Sequence, residues 1–81
     1  MRPIGAAFEQ RRRRQNTIDA LVDEYVRWRE QCLMVRRAYD IWAIAPVIER
    51  GLAHAAYVAA LDREGEAAAN YQRRTRGAVA R

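Results

Sequence analysis

A heptad pattern of apolar residues is the clearest feature of this chain. Between residues 18 and 42, apolar side chains recur at alternating steps of three and four residues. This spacing predicts a long helix whose apolar seam faces a partner helix, as in coiled coils and antiparallel bundles. The predicted helix spans residues 17 to about 44: Asn16 or Thr17 can cap its start, and it ends before Pro46. The seam consists of Ile18, Leu21, Tyr25, Trp28, Cys32, Val35, Tyr39 and Trp42.

The remaining sequence predicts a second helix from about residue 46 to residue 76. Two helices of nearly equal length joined by a short link indicate an all-α fold, an antiparallel two-helix hairpin. The apolar stripe expected to face the first helix again has steps of four and three residues, but most of its members are small. The large side chains that this stripe adds to the predicted hairpin core are those of Val58 and Leu61. The stripe consists of Val47, Gly51, His54, Val58, Leu61, Gly65 and Ala68.

Gly51 and Gly65 each lower helix stability by about 1 kcal/mol relative to alanine, so we expect a packing interaction that offsets this cost. If the numbers of facing residues add up to about 90, Tyr39 lies opposite Gly51 and Tyr25 lies opposite Gly65. Large rings would then fill the gaps that the glycines leave. Alternatively, Gly51 ends a short helical turn at residues 46–50 as its C′ residue.

Residues 1–16 form a basic N-terminal arm in this prediction, and residues 77–81 form a C-terminal tail. Pro3 is suited to the first turn of a short helix that would carry Ile4, Ala7 and Phe8. The pattern leaves two possibilities open. The arm is either a separate short helix or a continuous extension of the first long helix.

Further apolar residues lie outside the predicted seam and suggest an interface. Burying a large apolar side chain contributes about 1.5–3 kcal/mol, and a contiguous exposed patch of such residues marks an interaction surface. We expect two hairpins to associate into a homodimeric four-helix bundle with C2 symmetry. The alternatives are that the Ile4–Phe8 segment folds over the patch, or that a different protein covers it. The predicted interface consists of Val26, Leu33, Met34, Ile41, Ile44, Ile48 and Leu52.

The charge distribution adds a second candidate surface. All 15 basic residues are arginine, and the chain of 81 residues carries a net charge of +5. Joint enrichment in arginine and in alanine (sixteen residues) follows from GC-rich codons, although arginine also favours bidentate phosphate or carboxylate contacts. Residues 15–72 hold six arginines against nine acidic residues, so the other arginines lie near the two ends.

An antiparallel hairpin brings these two ends together, which predicts a positive pole. Such a pole is suited to an acidic partner or to the phosphate backbone of a nucleic acid, without sequence preference. Solubilising chain ends are the alternative explanation. The candidate contacts are Arg11, Arg12, Arg13, Arg14, Arg73, Arg74 and Arg76, with Arg2 and Arg81 near them in sequence.

The sequence offers little catalytic chemistry. His54 is the only histidine and Cys32 the only cysteine, so we expect no metal site and no cofactor. We interpret both as packed residues, and the carboxylates of residues 62–66 as a solvated helix face. The predicted function is therefore non-enzymatic. With no apolar segment resembling a signal peptide or long enough to span a membrane, the expected location is cytoplasmic.

Two segments of the chain resemble known proteins. Residues 28–42 (WREQCLMVRRAYDIW) and 55–71 (AAYVAALDREGEAAANY) are similar to uncharacterised short helical proteins of actinobacteria, a resemblance that implies no activity. The size of the chain and Trp42 near the turn also resemble the WXG100 secreted helical hairpins. However, Ile44 stands where that motif has glycine. The secretion signature Y-x-x-x-D/E is also absent, because Leu61 is four residues after Tyr57 and Asp62 is five.

Overall fold

The computed structural model describes residues 3–79, without the side chains of residues 3, 4 and 6, and it confirms the all-α helical hairpin. Helix α1 spans Pro3–Ala43, a single 3₁₀ turn spans Val47–Glu49, and helix α2 spans Arg50–Val79. The two helices pack against each other in antiparallel orientation, and the molecule measures 73 × 17 × 13 Å. Helix α1 ends just before Pro46, whose ring disfavours helical geometry at the residue before it, and the chain reverses between α1 and α2.

Helix α1 continues without interruption through the boundary predicted at residue 17. The Thr17 hydroxyl donates a hydrogen bond to the carbonyl oxygen of Arg13 at 3.0 Å, a bond typical of a helix interior. Asn16 and Thr17 are therefore not capping residues, and the arm is an extension of α1. Residues 77–79 of the predicted tail belong to α2, while residues 1, 2, 80 and 81 lie outside the described residues.

The N-terminal arm does not fold over the apolar residues of the hairpin. Because it continues α1, it runs onward along the helix axis instead of turning back. The side chain of Phe8 is 61% exposed, and the Arg12 guanidinium carbon lies 5.8 Å from the centre of its ring. The side chain of Ile4 is outside the described part. The alternative in which the Ile4–Phe8 segment shields the predicted interface is therefore wrong.

Two aromatic triads join the helices. In the first, the rings of Trp28 and Tyr71 stack with their centres 5.6 Å apart, and Tyr25 lies 5.5 Å from Tyr71. The second repeats this arrangement 14 residues away in each helix. There Trp42 stacks on Tyr57 at 5.3 Å, and Tyr39 lies 5.7 Å from Tyr57. Aromatic pairs of this kind contribute about 0.5–1.5 kcal/mol each beyond the area they bury.

These triads fix a register different from the predicted one. The numbers of the paired tyrosines add up to 96 in both triads, so Tyr39 lies opposite Tyr57 and Tyr25 opposite Tyr71. A Cβ atom added to Gly51 or Gly65 would meet nothing within 4 Å. The prediction that rings fill gaps at these glycines is therefore wrong.

The alternative role of Gly51 is wrong as well. Gly51 is the second residue of α2, and no glycine among residues 3–79 has a positive φ. It therefore does not end a preceding helical turn.

The face that α2 turns toward α1 also differs from the predicted stripe. Five of the six inward residues immediately precede a member of that stripe, and the sixth, Tyr71, continues the same spacing beyond its end, so α2 is rotated by about 100° from the predicted orientation. The reason is that this rotation packs the large tyrosine rings against the tryptophans, whereas the predicted orientation would have buried mostly small side chains. The inward residues are Ala53, Tyr57, Ala60, Glu64, Ala67 and Tyr71.

The hairpin core is consequently thin. Among the described residues only Ala45, Ala60 and Ala67 are buried, and no large side chain is fully enclosed. Of the predicted core, Leu21, Trp28, Cys32, Val35 and Trp42 are half-buried. The other five are exposed. Ile18, Tyr25 and Tyr39 of α1 lie at the edge of the seam, and Val58 and Leu61 of α2 lie beside it.

We predict that Ala60→Leu destabilises the hairpin by about 1–3 kcal/mol, because Ala60 is only 1% exposed and a larger side chain would push the helices apart. The free energy of unfolding in urea measures this. Ala55→Leu is the matched control, since Ala55 is exposed on the same helix. Equal stabilities for the two variants would contradict the close contact of the helices at Ala60.

Candidate protein–protein interfaces

All seven residues of the predicted interface are exposed, but they do not share one surface. Leu33 is 68% exposed, Ile44 84%, Leu52 80% and Ile48 93%. A helix turns by about 100° per residue, so Val26 and Leu33 lie on the side of α1 opposite the inward residues Glu24, Trp28 and Gln31. The remaining members of the set lie nearer the turn. The structure thus divides the predicted surface into two.

The first surface surrounds the hairpin turn, and we call it the turn-end patch: Ile41, Ile44, Val47, Ile48 and Leu52, all exposed. Met34 lies two helical turns before Ile41 and on the same flank of α1. The patch borders an open groove of about 470 Å³ whose lining is almost entirely apolar, with Glu49 as its one charged member. The groove is lined by Ile41, Ile44, Ala45, Pro46, Glu49, Leu52, Ala53 and Ala56.

The second surface is the back of α1, which carries Val22, Val26 and Leu33. Charged residues interrupt it, because Arg29, Arg36 and Arg37 lie around Leu33 on the same turns of the helix. These apolar residues are therefore more scattered than those of the turn-end patch.

A third surface was not predicted, and we call it the lateral face. It consists of the α2 stripe that the sequence had assigned to the hairpin core, together with the exposed edges of two tyrosines of the triads. Its members are Gly51, His54, Val58, Leu61, Gly65 and Ala68 of α2, and Tyr25 and Tyr39 of α1. The 100° rotation of α2 moves this stripe from the seam to the side of the hairpin.

Polar groups occupy the seam next to the first triad. The indole N–H of Trp28 donates a hydrogen bond of 2.7 Å to Oε2 of Glu64 across the helices. Glu24 accepts a hydrogen bond from Arg27 through Oε1 at 3.0 Å, and its side chain is only 13% exposed. The interpretation of the carboxylates of residues 62–66 as a solvated helix face is therefore wrong for Glu64, which is half-buried. The sequence analysis also did not assign Tyr71 to the core. The signal for Tyr71 was its spacing of 14 residues from Tyr57, which equals the spacing of Trp28 and Trp42.

The two residues with reactive side chains lie beside aromatic rings. The centre of the His54 ring is 4.8 Å from that of Trp42, although His54 is exposed. Cys32 is a free, half-buried thiol that lines a shallow groove with Tyr39 and Tyr57.

Within residues 3–79 there is no cluster of histidine, cysteine and acidic side chains that could hold a metal ion. Neither helix in this range has an apolar stretch long enough to cross a membrane.

The arginines near the chain ends lie in the same half of the molecule but form two groups. With facing residues adding up to 96, Val79 lies opposite about residue 17 of α1, so residues 3–16 project beyond α2 by about 20 Å. Arg11–Arg14 are all exposed on this projection. Arg73, Arg74 and Arg76 lie roughly 15 Å farther back along the axis, beside the body of the hairpin.

Comparisons with protein-family models, with curated proteins and with solved structures gave no significant match.

We predict that Glu64→Ala lowers the free energy of unfolding by about 1 kcal/mol, because the half-buried indole N–H of Trp28 loses its acceptor. Glu64→Gln keeps an acceptor oxygen and should lie closer to wild type. The indole N–H resonance of Trp28 in a ¹H–¹⁵N spectrum should shift most in the alanine variant. Glu66→Ala, at an exposed position two residues later, is the control and should leave that resonance in place.

Proposed function

We propose that this chain is a non-enzymatic protein–protein interaction and assembly protein that associates with itself through its exposed apolar side chains. The supporting observation is the contrast between its interior and its surface. Among the described residues three alanines are buried, whereas large apolar residues are exposed along both helices. A chain of this size needs more buried apolar surface for a stable fold, and oligomerisation is one common source.

The exposed area supports the same proposal. A compact monomer of 9.4 kDa exposes roughly 5,000 Å², whereas this chain exposes 6917 Å². The difference of about 1,900 Å² is more than twice the roughly 800 Å² that one partner buries in an interface of standard size. The projecting arm contributes to this excess, but the exposed apolar side chains of the hairpin body contribute as well.

A homodimer with a four-helix core is the form of assembly that we favour. Two-fold dimers are the commonest closed oligomers, and two hairpins packed face to face bury one side of all four helices. Such a dimer uses one face of each hairpin, so another apolar surface stays available for a different protein. This arrangement suits a scaffold or adaptor. A reducing, cytoplasmic setting fits the single free Cys32.

We predict that the wild-type chain sediments at micromolar concentration with twice its chain mass of 9.4 kDa. Its melting temperature should rise with protein concentration, because mass action stabilises a folded dimer. Sedimentation equilibrium and thermal unfolding at several concentrations measure both effects. A stable monomer at micromolar concentration, with a melting temperature independent of concentration, would rule out self-association as the function.

A second candidate function is accessory binding of nucleic acid, and the projecting arm is the observation that favours it. Arg11–Arg14 follow one another on a helix, so their side chains surround most of its circumference. A guanidinium nitrogen of Arg13 lies 3.7 Å from a carboxylate oxygen of Glu9. Both side chains are exposed, so this ion pair contributes little to stability. An exposed helix of this charge can lie along a phosphate backbone without reading the base sequence.

We predict that a variant with Arg11–Arg14 replaced by glutamine loses most of its affinity for a 20-base-pair DNA duplex. The slope of log K against log salt should fall by about 0.9 for each phosphate contact removed. The matched control replaces Arg36, Arg37, Arg50 and Arg63 by glutamine, the same loss of charge on the hairpin body. If the wild-type chain has no affinity at low salt, or if both variants bind equally, this second function is wrong.

A further inference from the structure

We infer that the lateral face is the surface on which a second copy of this chain binds, with the two α2 helices antiparallel across a two-fold axis between Ala59 and Ala60. This inference rests on the proposed self-association and adds which face and which orientation it uses. The interface predicted from the sequence, from Val26 to Leu52, consists of other residues.

The lateral face runs along both helices of the hairpin. On α2 it comprises the residues that follow the inward residues Ala53, Tyr57, Ala60, Glu64 and Ala67 by one position. In an antiparallel hairpin, the residues that follow the inward positions of α1 by one lie on the same side. A groove lined by Cys32, Arg36 and Tyr39 of α1 and by Tyr57 of α2 marks this side. The face is therefore formed by both helices.

The α2 part of this face is the longest uncharged surface of the helix. None of its residues is charged from Gly51 to Ala68, while Val58 and Leu61 at its centre are exposed. The opposite flank carries Arg27 and Glu30 of α1 and Arg63 and Glu66 of α2. Removing charged side chains from water is costly, and a helix that packs on the lateral face does not remove any charged side chain of α2 from water.

The stripe is complementary to itself when two copies run antiparallel. An axis between residues 59 and 60 pairs positions whose numbers add up to 119. Val58 then meets the partner's Leu61, and His54 meets the partner's Gly65. Gly51 meets the partner's Ala68. The imidazole of His54 thus faces a position without a side chain, as dense packing requires. An isologous contact of this kind closes with two copies.

Electrostatics favours the same orientation. Antiparallel packing of the two hairpins places their turns, and therefore their Arg11–Arg14 segments, at opposite ends of the dimer. The parallel arrangement would bring eight exposed arginines side by side, within a distance at which physiological salt screens repulsion only partly. The α1 part of the face carries Arg29 and Arg36, one position after the inward Trp28 and Val35. In this dimer α2 lies at the centre, so the exposed guanidinium groups of α1 would lie toward the rim of the interface, which is usually polar.

We predict that Leu61→Glu converts the dimer into a monomer in sedimentation equilibrium, raising the dissociation constant at least tenfold, because it buries a carboxylate at the centre of the interface. Leu52→Glu is the matched control: it makes the same change in the turn-end patch, at a more exposed leucine, and should remain dimeric. Far-UV circular dichroism shows whether each variant keeps its helices. If the wild type is a dimer and the Leu52→Glu variant is a monomer, the lateral face is not the interface, whether or not the Leu61→Glu variant also dissociates. Self-association would then still hold. A monomeric wild type overturns both.

Cross-linking tests the orientation with smaller changes, in a Cys32→Ser background. Copies carrying Val58→Cys should be joined by a short bismaleimide, since the two residues lie only about 4.5 Å apart along the axis. Copies carrying Gly51→Cys lie about 25 Å apart and should not be joined to each other, but they should be joined to copies carrying Ala68→Cys. Absence of the Val58→Cys product in a chain that sediments as a dimer overturns the antiparallel arrangement.

Discussion

The stacking of tryptophans of α1 on tyrosines of α2 holds this hairpin together and sets its geometry. Trp28 pairs with Tyr71 and Trp42 with Tyr57, and the two pairs lie 14 residues apart on both helices. Fourteen residues are two heptads, so both contacts form on one face of each helix. Two equivalent contacts along one seam leave a single register and a single rotation of α2 that satisfy both.

That rotation has consequences for the rest of the molecule. It places small residues such as Ala60 and Ala67 between the triads, where the helices come close enough to bury them. It also turns the stripe containing Val58 and Leu61 to the side, so the hairpin leaves apolar side chains exposed on more than one surface. A pair of helices has only one mutual seam, and a hairpin of this size cannot enclose every apolar residue that its sequence carries.

Charge and apolar surface are separated along the length of the molecule. The projecting part of α1 carries Arg11–Arg14 at one end, while the turn-end patch, with Ile44 and Ile48, occupies the other. Between them, the lateral face is uncharged along α2, and the opposite flank is charged. An assembly that keeps the basic ends apart and covers the uncharged face satisfies both constraints. The proposed dimer is therefore compatible with the proposed binding of nucleic acid at the basic ends.

Three features could be predicted from the sequence: the helical content, the hairpin and the end of α1 before Pro46. Helix propensity, heptad spacing and the restriction imposed by proline are local properties, and they suffice for these features. The sequence also shows that the chain has more apolar residues than two helices can bury. Three other features required the packed helices: the register, the face of α2 that packs inward and the continuity of α1 through residue 17. The register and the inward face depend on which large side chains meet across the helices, and the pairing of Trp28 with Tyr71 cannot be inferred from the periodicity of either helix alone. At residue 17, the Thr17 hydroxyl bonds to the Arg13 carbonyl within α1 instead of capping a new helix. Gly51 and Gly65 suggested a different register for the same reason: a gap indicates that close packing is possible, but not which neighbour fills it.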